Sequence, residues 1–213
     1  MKITIVYDND TVEEGLGADW GFACLVEVEN GQRLLFDTGA KGSLLMDNLR
    51  KLGFEPSTLS KIFISHAHWD HTGGLTELLR LNKNATVYIP NSCPLPVGGT
   101  QVVPIKDHCQ IQENVFSTGE LQNMEQSLVV KAREGLVLVT GCSHPGVRSI
   151  LKAASVFGKP YALIGGLHGF RELELLADLN LVCPCHCTQY KSEIKGAHPE
   201  IFTKCGVGKV IEI

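Results

Sequence analysis

The chain has 213 residues, 44% of them hydrophobic and 20% charged, with a net charge of −4. That composition suits a globular core, and with no run of clustered Lys and Arg it argues against non-specific nucleic-acid binding. No apolar run is long enough to span a bilayer, and the opening MKITIVYDND lacks a signal peptide's h-region and cleavage site. A cytoplasmic protein with one domain over residues 1–213 is therefore expected. In that setting the eight cysteines read as reduced thiols.

In chain order, Lys2 to Tyr7 and Cys24 to Glu29 read as strands. Asn30-Gly31 is a hairpin turn signal, since both residues tolerate positive φ. Arg33 to Phe36 returns as a strand ending at Asp37-Thr38-Gly39. Ser43 is a candidate cap for a helix over Leu44 to Leu52, stopped by Gly53. Lys61 to Ser65 is an apolar strand, Leu75 to Leu81 a helix and Thr86 to Ile89 a strand. Val102-Val103 and Val115-Phe116 are short strands. Ser127 to Lys131 and Leu136 to Thr140 pair across Glu134-Gly135. Val147 to Phe157 is a helix with Pro145 near its first turn, where a missing N–H matters little. Tyr161 to Ile164 is a strand, Arg171 to Leu179 a helix and Lys209 to Ile213 a closing strand. Strands dominate both halves with helices between them, which suggests two face-to-face sheets with helices outside. Asp10 to Gly21, Asn91 to Gly99 and Ile105 to Glu113 read as rim loops.

Chemistry concentrates in His66-Ala67-His68-Trp69-Asp70-His71. Strand alternation places His66 and His68 on one side, and Asp70 and His71 follow as the chain turns. Burying three imidazoles and a carboxylate together is unfavourable unless a cation or hydrogen bonds compensate. A metal cluster follows, with zinc foremost and iron or manganese also suited to these donors. Trp69 lines a pocket or packs beside the motif. Asp37 either caps a turn or orients a histidine ligand. Cys183, Cys185 and Cys187 alternate, so an extended strand places them on one face. They read as small buried thiols or as a separate soft-ligand site. Glu125 is an acidic surface residue or a support for the cluster, and His108 and His198 read as surface residues.

HAHWDH followed by Thr-Gly-Gly-Leu resembles the HxHxDH signature of the metallo-β-lactamase superfamily, and Phe36-Asp37-Thr38-Gly39 resembles its Asp-bearing strand end. The resemblance implies a four-layer αββα sandwich, of mixed α/β (α+β) class. His66 and His68 would hold one metal, Asp70 and His71 the other. Thr140-Gly141-Cys142-Ser143-His144, Gly165-Gly166-Leu167-His168 and Cys185-His186-Cys187-Thr188 narrow the likeness. They are similar to a branch of metal-dependent hydrolases that includes dihydropterin–aminobenzene ribofuranosyl phosphate synthases.

By resemblance His144 completes the first site and His186 the second, while Cys142 stands where many members have a bridging Asp. The implied activity is hydrolysis of a small molecule by a metal-bound hydroxide at a two-metal site, with Asp70 and His168 as candidate catalytic residues. The alternatives are a pterin-type transferase that displaces pyrophosphate and a metal-binding protein without catalysis. The related diiron flavoproteins typically have Glu where this chain has His68.

Overall fold

Side-chain alternation sets the layers of the computed structural model, which describes residues 1–29, 31–94 and 101–213. The first half comprises β1 (Lys2–Tyr7), β2 (Ala23–Glu27), β3 (Arg33–Phe36), α1 (Gly42–Lys51), β4 (Lys61–Phe63), α2 (Trp69–Thr72), α3 (Leu75–Leu81), β5 (Thr86–Pro90) and β6 (Gln101–Ile105). The second comprises β7 (Cys109–Gln112), β8 (Val115–Ser117), β9 (Leu128–Ala132), β10 (Gly135–Thr140), α4 (Val147–Ala154), β11 (Pro160–Gly166), β12 (Leu181–Cys185), α5 (Lys191–Ala197) and β13 (Val210–Glu212). Among the described residues one sheet runs β13-β1-β2-β3-β4-β5-β6 and the other β12-β11-β10-β9-β8-β7.

Along β10, Val137 and Val139 point between the sheets, where they meet Ile3, Ile5, Phe36 and Phe63. Leu136 and Leu138 point the other way, into a cluster with Val147 and Ile194 from the covering helices. The outer face of the first sheet is closed by Leu45 and Leu49 of α1 and Leu75 and Leu78 of α3. Each such buried side chain contributes roughly 1.5–3 kcal/mol. This is the four-layer αββα order, with the main core between the sheets.

β3, β4 and β5 are parallel neighbours, as are β10, β11 and β12. Their carboxyl ends meet at one edge of the sandwich, and the loops leaving them carry the candidate site.

Several expectations change. The helix expected over Arg171 to Leu179 is a single 3₁₀ turn, Leu173–Leu176. Leu175 N–H bonds to Glu172 and Leu179 N–H to Leu176, the i→i+3 spacing of a 3₁₀ turn rather than the i→i+4 of an α-helix. Ile105 to Glu113 is not simply a rim loop: it contains β7, because Ile111 is drawn into the inter-sheet core and Cys109 pairs with Ser117. α1 starts from Lys41 with no side-chain cap, so Ser43 is not its cap. The expected turn at Asn30-Gly31 has Gly31 at φ 79°, while Asn30 lies outside the described residues, as do residues 95–99 of the expected rim loop. No described helix is long and apolar enough to cross a membrane.

Candidate metal centre

The HAHWDH segment is shaped by the end of β4. After Phe63 the chain leaves the strand and bends at Ala67, and His68, with φ of −64° and ψ of 144°, precedes the single helical turn of α2. The segment before the turn projects His66 and His68, and the turn projects Asp70 and His71. The loop after β10 brings Cys142 and His144, the one after β11 His168, and the one after β12 His186. Asp37, Ser143, His168 and His186 hold positive φ of 54°, 60°, 44° and 45°. Non-glycine residues in this region cost of order 1–3 kcal/mol each and cluster at functional sites.

The donors gather as two neighbouring trios, His66/His68/His144 and Asp70/His71/His186, each with its ligand atoms within 4.8 Å of one another. In the first, His66 Nε2 lies 3.0 Å and His144 Nε2 3.2 Å from His68 Nδ1. In the second, His186 Nε2 lies 3.2 Å from Asp70 Oδ2. Cys142 joins them, its Sγ 3.2 Å from His71 Nε2, and it also groups with His66 and His71.

The donor chemistry fits divalent cations. Asp37 is fully buried. Its Oδ1 accepts the Ser65 N–H at 2.7 Å; its Oδ2 accepts the Ser65 hydroxyl at 2.7 Å and pairs with His71 Nδ1 at 2.7 Å. With its own proton on Asp37, Ser65 Oγ can only accept from His66 Nδ1, 2.9 Å away. His186 Nδ1 meets Asn9 Oδ1 at 2.9 Å. The outer nitrogens of His66, His71 and His186 are thus engaged, and the inner Nε2 lone pairs converge, as metal-binding histidines require. Asp37 therefore orients two histidines rather than merely closing a turn.

Electrostatics favour ligation at His66, His144, His186 and Asp70 and oppose it at His71, whose Nε2 proton a cation would have to displace. Burial and the neighbouring imidazoles push His66 far down, and burial lowers His144 and His186, so these rings stay neutral. Burial alone would raise Asp70, but the hydrogen bond with His186 and the charge of His71 hold its carboxyl well below the usual range. Trp20 Nε1–H adds a bond to Asp70 Oδ2 at 2.8 Å. Burial would lower His71; the facing Asp37 carboxylate reverses this and raises it.

Of the other expected residues, His168 is exposed with its ring 5.3 Å from that of His144. Both line an open cavity of 470 Å³, with Ser143, Leu167, Phe170 and Arg171 among its walls. Trp69 is 64% exposed. His108 is exposed as expected, but His198 is half-buried with Nε2 2.8 Å from Leu173 O. Cys183, Cys185 and Cys187 do not share a face. β12 ends at Cys185, and Cys187 turns into the histidine cluster beside Cys142 and His186.

Sequence reasoning missed Ser65, Asn9, Trp20 and the reach of Cys187. Ser65 and Asn9 share a signal, a polar residue just past an apolar strand. Glu125 is 1% exposed, so it supports the site rather than the surface. Its Oε1 accepts the N–H groups of Gly141, Cys142 and Ser143, and its Oε2 that of His144 at 2.9 Å.

Gly141 is equally constrained. A Cβ there would lie 2.2 Å from Ser65 Oγ and 3.0 Å from His66 Nδ1. Gly141→Ala is expected to destabilise the protein by roughly 1–3 kcal/mol and to lower its metal content, read by denaturant unfolding and elemental analysis.

Residues 19–119 match the model of the metallo-beta-lactamase superfamily. A 7,8-dihydropterin-6-methyl-4-(beta-D-ribofuranosyl)-aminobenzene-5'-phosphate synthase of Methanocaldococcus jannaschii is 27% identical, covering 90% of this chain and 89% of that protein. The crystal structure of Tm1679, described as a metal-dependent hydrolase of the beta-lactamase superfamily, superposes with a TM-score of 0.83 at 25% identity, over 100% of this chain and 99% of that one. The fold alone is shared with YhfI of Bacillus subtilis, at a TM-score of 0.71 and 12% identity over 99% of both chains. With its αββα layers and the order of its histidine motifs, the chain has the metallo-β-lactamase fold, and its first half matches that superfamily's model.

Proposed function

We propose that the protein is a hydrolase of a small-molecule substrate that works with two divalent cations, zinc foremost. The observation that carries this reading is the pair of donor trios joined by Cys142, opening beside a cavity of 470 Å³, a size typical of small-molecule sites. His66, His68 and His144 would hold one ion, Asp70, His71 and His186 the other, with Cys142 between them. When bound, such a pair supplies Lewis acidity and a water of lowered pKa.

The chain's own groups do the rest. Asp37 and Ser65 keep the outer protons of His71 and His66 in place, so neither ring turns away. Asp70, buried and held ionised within the cluster, is a candidate proton acceptor. His168 stands where it can donate a proton or hydrogen bond to a leaving oxygen, and Phe170 and Leu167 offer apolar walls. Elemental analysis of protein purified without added metal is expected to give at least two equivalents per chain, two of them held by these donors. His66→Ala/His71→Ala should lose both the metal and all turnover in a hydrolase screen. Full hydrolysis by that variant would sink the reading.

The full-length likeness to the jannaschii synthase favours a second reading, in which the same site joins a pterin-type donor to an aminobenzene acceptor. Product that forms only when acceptor is present would support it. Product formed with water alone would return the assignment to hydrolysis.

A further inference from the structure

A second group of soft donors lies apart from the histidine cluster. Cys183 and Cys185 sit on the inter-sheet face of β12, and Cys205 reaches them from the segment before β13. Their sulfurs all lie within 4.8 Å of one another, with Cys183 Sγ 3.9 Å from Cys185 Sγ. Zinc–sulfur bonds of about 2.3 Å in a tetrahedron place sulfurs about 3.8 Å apart. The Cys205 thiol also lies against the Asp8 carboxylate. Asp8 is fully buried, and while its Oδ1 accepts the His186 N–H at 2.7 Å, its Oδ2 has no hydrogen-bond partner. A buried carboxylate oxygen without a partner is strongly unfavourable, and the Cys205 thiol beside the carboxylate is only a weak donor. A cation between it and the three sulfurs relieves this.

We propose that Cys183, Cys185 and Cys205, closed by the carboxylate of Asp8, form a structural zinc site distinct from the histidine cluster. Binding one Zn²⁺ releases three thiol protons to solvent and leaves a net charge of −2 on the four-ligand unit. Lys191 and Lys209 lie close enough to act on Cys183 and offset that charge. Four protein ligands leave no open position, which is the mark of a structural rather than a catalytic zinc. The ion would tie the end of β12 to the end of β1 and to the C-terminal segment. It would thereby fix the turn that presents His186, since Cys185 precedes it and Asp8 holds its N–H. The proposal does not depend on what reaction the histidine cluster performs.

The test is a cobalt titration of metal-free protein, followed by thiolate-to-cobalt charge transfer in the near ultraviolet and checked by zinc stoichiometry. A background lacking His66, His71, Cys142 and Cys187 (two alanines and two serines) removes one histidine from each trio and both thiols of the histidine cluster. That background is expected to bind one equivalent with a charge-transfer band, and adding Cys205→Ser should abolish it. In the otherwise wild-type chain Cys205→Ser should lose one equivalent of zinc, while the buried control Cys24→Ser loses none. Unchanged zinc content in Cys205→Ser would overturn the proposal. Should the multiple variant not fold, the wild-type titration decides. A third equivalent beyond the two of the histidine cluster supports the site, and saturation at two rejects it.

Discussion

Asp37→Ala protein will bind its metals roughly 10–100-fold more weakly than wild type, the usual effect of removing a group that orients ligand histidines. The substitution leaves the Ser65 N–H, the Ser65 hydroxyl and His71 Nδ1 without their common acceptor in a fully buried setting. Each orphaned buried donor costs about 1–3 kcal/mol, so stability should fall by roughly 3 kcal/mol or more. The two effects have separate readouts, chelator competition for affinity and denaturant unfolding for stability. Asp37→Asn should be milder in stability because one oxygen still accepts the Ser65 N–H. It should still weaken metal binding, because its amide NH₂ then faces the Ser65 hydroxyl and His71 as a fellow donor. Unaltered affinity in both variants would reduce Asp37 to a turn residue.

Residues with a local pattern were legible in the sequence. The period-two alternation of Val137 and Val139 against Leu136 and Leu138 reports both faces of β10, and α3 falls over Leu75–Leu81 as its apolar spacing demands. HAHWDH is compact enough that one strand end and one helical turn bring its four donors together. His144 and His186 were legible only through resemblance, since nothing near either residue says which strand ends share an edge. What stayed hidden was decided at long range. Cys205 is 20 or more residues in sequence from Cys183 and Cys185, and the register of β13 beside β1 brings it back to them. The run 183/185/187 reads as one face only if β12 continues, and strand length at a sheet edge is set by its partners. α5 escaped because one buried residue, Ile194, anchors it, which leaves little periodicity to see. Glu125 could not be assigned because a carboxylate buried under backbone N–H groups looks, in sequence, like any surface glutamate.

Glu125 provides the second large effect. Four consecutive N–H groups, from Gly141 to His144, point at its carboxylate, and the Thr140 hydroxyl adds a bond at 3.1 Å. Successive amides of this kind form an anion-binding concavity, and here the anion is the protein's own side chain. Glu125→Ala would strand four buried N–H groups at about 1–3 kcal/mol each. That is a large share of the roughly 5–15 kcal/mol that holds a typical domain folded, so the variant is expected to be largely unfolded at 37 °C by circular dichroism. Glu125→Gln separates the local from the global role. Its carbonyl oxygen can keep the bonds to Gly141, Cys142 and Ser143, while its NH₂ must then confront the His144 N–H, donor against donor. The protein should fold, with a loss of about 1.5–3 kcal/mol for one charge-assisted bond, and His144 should shift out of line with His66 and His68. Metal loss should therefore begin at the His66/His68/His144 trio and leave the Asp70/His71/His186 trio loaded, so that elemental analysis gives one equivalent fewer than wild type. Loss of both metals together would instead mean that the loop from Thr140 to His144 supports the two trios as one unit, through Cys142.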